Sequence, residues 1–572
     1  MPPAQDRHDT PAPARNLILV IAALQGVALY ALSRAFEHKL WPYGEPGWSV
    51  PLWAIALLMP LFAQLSATRT NGVALARVGA GLTLALGLLG TYIGQQMIVS
   101  DSNARTGTIA LGFGVSVTIA VFIGLIFAQR GPLGGGESRD YATLFMLSWR
   151  NFLTGTLAGL FVLGVWLILL LWGGLFDVIG IDFFRTLFRE SWFYIPVLSV
   201  AFGLGVLIFR SLDRIIDSIT RLLEGLFRLL LPLIVALTIA FTGTLPFVGL
   251  QPLWDTGSGT FLLIALLAGL LFALNAVYQD GAGGVYPRPL AWAICLGVVV
   301  LPLIAALAGY GLWLRIAQHG LSVERCWGLL VWAFLSLFGV GYFWAVVRSR
   351  LGWIERLAQT NVALGIALAA VLTLTSTPLL DFRKLTLASQ LARVESGTID
   401  WYEFDACYVH SELGTPGQRL LAAQSAAGNI DQKHFDVRYC SMRGYRKAVP
   451  EERIRTFPPG TPIPAGLLQT INDSYRVGGA SDYALVKIRL NSSDEQDDYV
   501  LLELEGNWAK ARLYSRNTAD ASPAWIERSM RRKLYSEEGH AALLQALERG
   551  AYAAEPPEFR DFVIDGERYR VE

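Results

Sequence analysis

The chain has 572 residues, 53% hydrophobic, 12% aromatic and 16% charged, with a net charge of +1 and a mean hydropathy of +0.42. A soluble globular protein carries about 25% charged residues, so the deficit points to a chain built for lipid. The near-neutral balance gives no electrostatic footing for nucleic acid.

The first sixteen residues, MPPAQDRHDTPAPARN, are polar and Pro-rich, and the apolar run after them lacks a small-residue cleavage site. That run reads as an uncleaved signal anchor behind a short tail, residues 1–16. A helix needs about 20 apolar residues to cross about 30 Å of hydrocarbon. Eleven stretches approach or meet that length: Leu17–Ser33, Val50–Leu65, Val78–Ile98, Thr108–Ala128, Phe152–Trp172, Trp192–Phe209, Leu229–Leu250, Gly259–Tyr278, Pro289–Leu314, Trp327–Val347 and Asn361–Leu380. Residues 17–380 are therefore expected to form an all-α polytopic membrane bundle of about eleven transmembrane helices, with room for two to be re-entrant or interfacial. The lipid bilayer is its first partner.

Orientation follows from Lys and Arg in alternate loops. The set that includes the N-terminus holds fifteen, among them Arg69, Arg77, Arg130, Arg150, Arg210 and Arg228; the other set holds seven, among them Arg34, Lys39, Arg185, Arg315 and Arg325. The excess predicts a cytoplasmic N-terminus. An odd number of spans then puts residues 381–572 outside, in the periplasm of a Gram-negative cell, with the bundle in the inner membrane.

The apolar stretches contain no Asp, Glu, Lys, Arg or His. Proton and ion carriers usually keep an ionisable group inside the bundle, so proton coupling is weakened. Gln25, Gln64, Gln95, Gln96 and Asn275 are the polar groups left, read mainly as interhelical hydrogen bonds. Gly155 and Gly159 form a GxxxG, and the pairs Gly79/Gly81, Gly112/Gly114 and Gly203/Gly205 offer further close-packing surfaces. Pro196, Pro232 and Pro302 are expected to break or kink their helices, and tryptophans near segment ends suit an aromatic belt.

Arg210–Arg228 (RSLDRIIDSITRLLEGLFR) is amphipathic and predicts a connector helix on the inner surface. The glycine-rich turns at 131–136 and 281–284 lack the GK[ST] of a phosphate-binding loop. Asp177 and Asp182 flank VIGI outside the membrane, a carboxylate pair weighed for acid–base work or a metal but with no histidine beside it. They stand as weak candidates against an ordinary solvated loop.

Beyond Asp381 the pattern changes to that of a soluble α+β domain, residues 381–572. Leu385–Val394 reads as a short helix. Thr415 with Pro416 opens a second, stopped by Gly428. Strands are expected at His434–Cys440, Tyr483–Leu490, Tyr499–Glu505 and Lys510–Ser515, then a helix over Glu537–Arg549 and a hairpin turning at Asp565-Gly566. Cys407 and Cys440 fall in this domain, Cys295 and Cys326 in membrane-associated sequence, and no CxxC occurs. Cys407 and Cys440 either pair, as an oxidising compartment allows, or stay as two core thiols. The acidic loop NSSDEQDD lacks the glycine of a calcium loop, no GxSxG is present, and nothing calls for a cofactor, a metal or a catalytic residue.

The seam SGTIDWYEFDACYVHSELGTPGQRLLA resembles a segment of the bacterial membrane-protein family called domain of unknown function 4153, through Ser396, Gly397, Phe404, Asp405, Tyr408, Leu413, Gly414 and Gly417. The helix LQGVALYALSRAFEHKLWP and the closing DFVIDGERYRV are similar to that family as well. The resemblance implies a polytopic inner-membrane protein and brings no catalytic residues with it. The preferred reading is a non-enzymatic envelope protein presenting a periplasmic binding or sensing domain, with an envelope partner bound through residues 381–572. A transporter or lipid-handling permease is the alternative, and a membrane-embedded transferase ranks last.

Overall fold

The computed structural model describes residues 14–97, 106–136, 141–255, 258–278, 285–399, 401, 404–430, 451, 454–473, 482–490, 497–505, 508–516, 525–535, 540–553, 562–564 and 567–569. Two units follow one another, Met1–Ile430 and Asp431–Glu572.

The first unit is helical: α1 (Arg15–Glu37), α2 (Pro46–Ser66), α3 (Gly72–Gln96), α4 (Thr106–Arg130), α5 (Tyr141–Val178), α6 (Phe183–Arg189), α7 (Ser191–Ser211), α8 (Asp213–Val248), α9 (Gln251–Asp255), α10 (Gly259–Val277), α11 (Arg288–His319), α12 (Val323–Ser349) and α13 (Ile354–Leu374), then α14 (Phe382–Glu395), α15 (Ala406–Glu412) and α16 (Gly414–Ala426). Among the described residues eleven helices are long and apolar enough to cross a membrane: α1–α5, α7, α8 and α10–α13. The protein is a multi-pass membrane protein, and its surface is inverted to match. Leu84, Leu88 and Phe247 are 65%, 65% and 89% exposed, an arrangement that only a hydrocarbon solvent stabilises.

The two largest apolar cores among the described residues of this unit hold most of its helices together. One joins α8, α10, α11, α12 and α13 around Leu267, Leu274, Val298, Leu301 and Tyr342. The other joins α1, α2, α3, α4, α5 and α7 around Ile18, Phe62, Leu125, Ala158 and Val206. Within lipid such packing rests on close backbone approach. A Cβ on Gly90 would lie 2.6 Å from the Pro51 Cα, and one on Gly203 would lie 2.5 Å from the Ala22 Cβ. The GxxxG at Gly155 and Gly159 is not used in this way. Nothing lies within 4 Å of a Cβ built at either.

Prolines inside spans leave a carbonyl four residues back without its donor. At two of them a side chain from another segment replaces it. Gln25 Nε2 donates to the Ala56 carbonyl, 3.3 Å, behind Pro60. The Tyr286 hydroxyl donates to the Arg228 carbonyl, 2.8 Å, behind Pro232. With that carbonyl satisfied, the helix passes Pro232 unbroken. The stretch 210–228 is therefore not a separate surface helix, as expected from sequence. Arg210 and Ser211 close α7, and from Asp213 the chain runs straight into the span as the 36-residue α8. At 1.5 Å per residue α8 is about 54 Å long, well beyond the hydrocarbon thickness.

The second unit carries a five-stranded sheet in the order β1 (Ile454–Phe457), β2 (Asp482–Ile488), β3 (Asp498–Glu505), β4 (Trp508–Arg516), β5 (Trp525–Tyr535). The β1–β2 pair is parallel and the rest antiparallel. Alternate side chains point to opposite faces, and both faces are covered. Tyr483, Leu485, Leu501 and Tyr514 pack with Leu467 and Ile471 of α17 (Leu467–Asp473). Ala484, Val486, Leu502 and Ala511 pack with Leu544 and Leu547 of α18 (His540–Glu548). Arg512 and Glu503 form a buried ion pair on the sheet. The β3–β4 pair falls on two of the expected strands and forms a hairpin, with Glu505 opposite Trp508. The hairpin of β6 (Phe562–Ile564) and β7 (Glu567–Tyr569) also falls where expected. The strand expected at His434–Cys440 lies outside the described residues, whereas β1, β5 and α17 were not anticipated.

Candidate functional site

After α13 the chain does not pass directly into the second unit. The first unit extends fifty residues beyond 380, to Ile430, because α14–α16 fold over the ends of α3, α4, α11 and α12. This seam contains all the motif residues singled out above, and each has a structural task.

Asp381 starts it. Its side chain caps α14 by accepting from the Arg383 amide, 3.0 Å. It also takes Arg383 Nε at 2.9 Å, Arg383 Nη2 at 2.8 Å and the Tyr92 hydroxyl of α3 at 2.7 Å. Asp381 is 3% exposed and Arg383 6%. Burial alone would push the Asp381 carboxyl up, but the Arg383 guanidinium and the Tyr92 hydroxyl outweigh it and hold the carboxyl below its ordinary value. Arg383 Nη1 is buried without a hydrogen-bond partner among the described residues. Phe382 meets the edge of Trp327 of α12 at 5.0 Å between centroids, and Lys384 Nζ lies 5.7 Å from the Tyr92 ring centre.

Along α14, Ser389 Oγ accepts from the Leu321 amide, and Gln390 Nε2 donates to the carbonyls of His319 and Leu321. These groups, with Arg393 Nη2 on the Gln318 carbonyl and Arg325 Nη1 on those of His319 and Gly320, satisfy the free carbonyls at the end of α11. Gly397, at φ +71°, ends α14 in a Schellman turn: Thr398 N–H bonds the Arg393 carbonyl and Gly397 N–H the Val394 carbonyl. Ser396 Oγ donates to the Arg393 carbonyl, 3.1 Å.

Phe404 is buried against Trp401. Asp405 caps α15 through the Tyr408 amide, 3.0 Å. The Tyr408 hydroxyl in turn caps α12, accepting from the Val323 amide at 2.9 Å and lying 3.2 Å from Glu324 Oε2. Burial, with Glu324 beside it, pushes its pKa up. Leu413 is fully buried. Gly414, at φ +62°, lets the chain cross the end of α3, where a Cβ would lie 2.2 Å from the Gln96 carbonyl oxygen. A Cβ on Gly417 would meet the Val409 carbonyl at 2.2 Å. Helix α16 starts at Gly414 rather than after Thr415, and the Thr415 hydroxyl donates to the Gln95 carbonyl of α3, 3.2 Å. Thr108 of α4 donates to Glu412.

The remaining candidates lie elsewhere. Arg185 of α6 bonds Asp177 at 2.9 Å and approaches Asp182 at 3.9 Å, so one guanidinium faces both carboxylates. Cys407 is buried in α15, Cys295 and Cys326 are free and buried in α11 and α12, and Cys440 lies outside the described residues. In the acidic loop Asp497 bonds Lys487 and Arg489, which hold its carboxyl below the ordinary value, and Asp498 accepts from the Leu490 amide.

The polar residues inside the bundle bond to one another. Gln64 Nε2 donates to Gln25 Oε1, 2.9 Å. Asn275, Tyr342, Asn361 and Tyr141 form one network with separations of 2.5 to 3.4 Å. At the other end of the bundle, the carbonyls of Gln64 and Ala67 accept from Arg210, that of Leu65 from Gln129 and that of Ser66 from Asn71, which closes the end of α2. Sequence reasoning missed the Tyr92–Asp381–Arg383 cluster. Its one visible sign is a DxR directly after the last apolar run.

A family profile described as Domain of unknown function (DUF4153) matches residues 26–423. That span coincides with the helical unit and its seam, and stops before the second unit, so the closing DFVIDGERYRV lies beyond it. No curated protein and no solved structure matches the chain.

Proposed function

We propose that this chain, which belongs to the DUF4153 family, is a non-enzymatic protein of the bacterial inner membrane that presents a binding or sensing domain in the periplasm. The observation that carries this reading is the division of labour in the chain. The family match covers the span bundle and its seam, while residues 431–572 form a further unit with a core on each face of its sheet. The seam supports it: its hydrogen bonds close the end of α11 and the start of α12. Within the bundle Gln25 bonds Gln64, and Asn275, Tyr342, Asn361 and Tyr141 bond one another, which favours anchoring over permeation. The loop arginines favour a cytoplasmic N-terminus and an outward seam, the side on which Cys407 and Cys440 would pair.

Photo-crosslinking amino acids at exposed positions of the second unit, such as Arg489 and Gln545, test the reading in living cells. It predicts a discrete protein adduct at a subset of positions. Adducts with lipid alone, together with solute uptake by the reconstituted full chain, would move the assignment to the permease.

A further inference from the structure

At the seam end of the bundle the start of α10 and the end of α11 enclose a partly open cleft of about 200 Å³, lined by Trp254, Thr260, Gly311, Arg315 and Gln318 among others. At about 30 Å³ per water this is room for six or seven waters, too little for a drug-sized ligand and enough for a tetrahedral anion with a short polar tail. Its floor depends on Gly311. A Cβ there would lie 2.4 Å from Thr260 Oγ1 and 2.6 Å from the Trp254 ring, so only glycine lets the indole lie on the helix backbone.

Basic groups gather near the cleft: Arg315 and Arg393 both lie within electrostatic range of Arg325, with Glu324 beside it. Arg325 and Arg393 turn toward the carbonyls of Gln318, His319 and Gly320, so the end of α11 accounts for those two. Arg315 is different. Among the described residues no carboxylate pairs with it, and it lines the cleft beside a hydroxyl, an amide and an indole. A guanidinium, a hydroxyl and an amide lining one small space are the chemistry that binds a phosphate, and the indole is the group that sits at headgroup level in a membrane.

We propose that this cleft binds a phosphate-bearing group, with Arg315 as its principal cation and Thr260 and Gln318 as neutral donors. The phosphate comes either from an anionic lipid headgroup or from a soluble phosphate compound.

The test uses the full chain reconstituted in phosphatidylcholine, with and without phosphatidylglycerol, and scores the lipid retained after detergent extraction by native mass spectrometry. Wild type is expected to retain phosphatidylglycerol over phosphatidylcholine, and Arg315→Gln to lose about fivefold of that preference, the worth of one cation at an anionic surface. Arg34→Gln, which removes another cation from the same end, one paired with Glu37, is expected to change nothing. Equal melting temperatures of wild type and Arg315→Gln in phosphatidylcholine alone confirm that the variant folds. A rise in that temperature with inorganic phosphate or pyrophosphate, seen in wild type and lost in Arg315→Gln, assigns the site to a soluble phosphate instead. Unchanged lipid preference in Arg315→Gln with no response to phosphate overturns the proposal, as does an equal loss in Arg34→Gln.

Discussion

Replacing Asp381 by Asn tests how the seam is fastened to the spans. The amide keeps the size of the carboxylate but strands the charge of Arg383, which is 6% exposed. Removing one partner of a buried ion pair costs about 3–5 kcal/mol, because the other charge is left uncompensated. Tyr92→Phe removes a single donor to a charged acceptor and should cost about 1.5–3 kcal/mol. The double variant Asp381→Leu/Arg383→Met removes both charges at once. It should lose less than Asp381→Asn, because no charge is stranded, although the cap on α14 and the acceptor for the Tyr92 hydroxyl go with the carboxylate. Unfolding by titrated sodium dodecyl sulfate, followed by tryptophan fluorescence, ranks the three. A single Asp381→Asn no worse than Tyr92→Phe, or a double variant as damaged as the single, would refute the reasoning. The pH dependence gives an independent check. The folded carboxyl titrates below the unfolded value of about 3.9, so the contribution of the pair is complete above that pH. It drains away as the pH falls through the folded pKa, and Asp381→Asn should flatten that acid limb.

Arg210→Met removes the donor to the Gln64 and Ala67 carbonyls and should cost about 3–6 kcal/mol at two charge-assisted bonds; an unchanged midpoint in the same titration would show that these carbonyls find other donors. Tyr286→Phe removes the group that replaces the donor lost at Pro232, at about 1 kcal/mol, and Gln25→Leu costs more, because it also strips the buried Gln64 amide of its acceptor. Pairing Tyr286→Phe with Pro232→Ala should recover most of the Tyr286 loss, and failure to recover it would detach Tyr286 from the proline. If Cys407 and Cys440 pair, non-reducing electrophoresis after maleimide labelling under denaturation will leave both unlabelled until reductant is added. Labelling of all four cysteines without reductant would exclude the bond.

The spans were legible because length and apolarity suffice to mark them, and the eleven stretches reappear as helices with polar turns added at their ends. What those turns do was not legible. Arg210–Arg228 read as a surface helix because the donor that carries α8 through Pro232 is Tyr286, in a different loop. The seam was recognised as a change of character after Asp381, but Asp381 meets Tyr92 across 289 residues, a distance no periodicity records. Motif residues such as Gly397, Tyr408 and Gly414 stood out by resemblance alone. Only the helix ends they close explain why a glycine or a tyrosine stands there. In the second unit, β2 and β3 are short apolar runs with β-branched and aromatic residues and were found. Four-residue β1 is too short to show a period, and β5 (WIERSMRRKLY) is too charged to resemble a strand.

The outward placement of the seam and of the unit that follows it is the claim on which the rest depends. Fusing alkaline phosphatase or green fluorescent protein after residue 572 of the full chain in a Gram-negative host measures it directly. An active phosphatase fusion and a dark fluorescent fusion are the predicted pair. A fluorescent fusion with an inactive phosphatase would put the C-terminus in the cytoplasm and contradict the account.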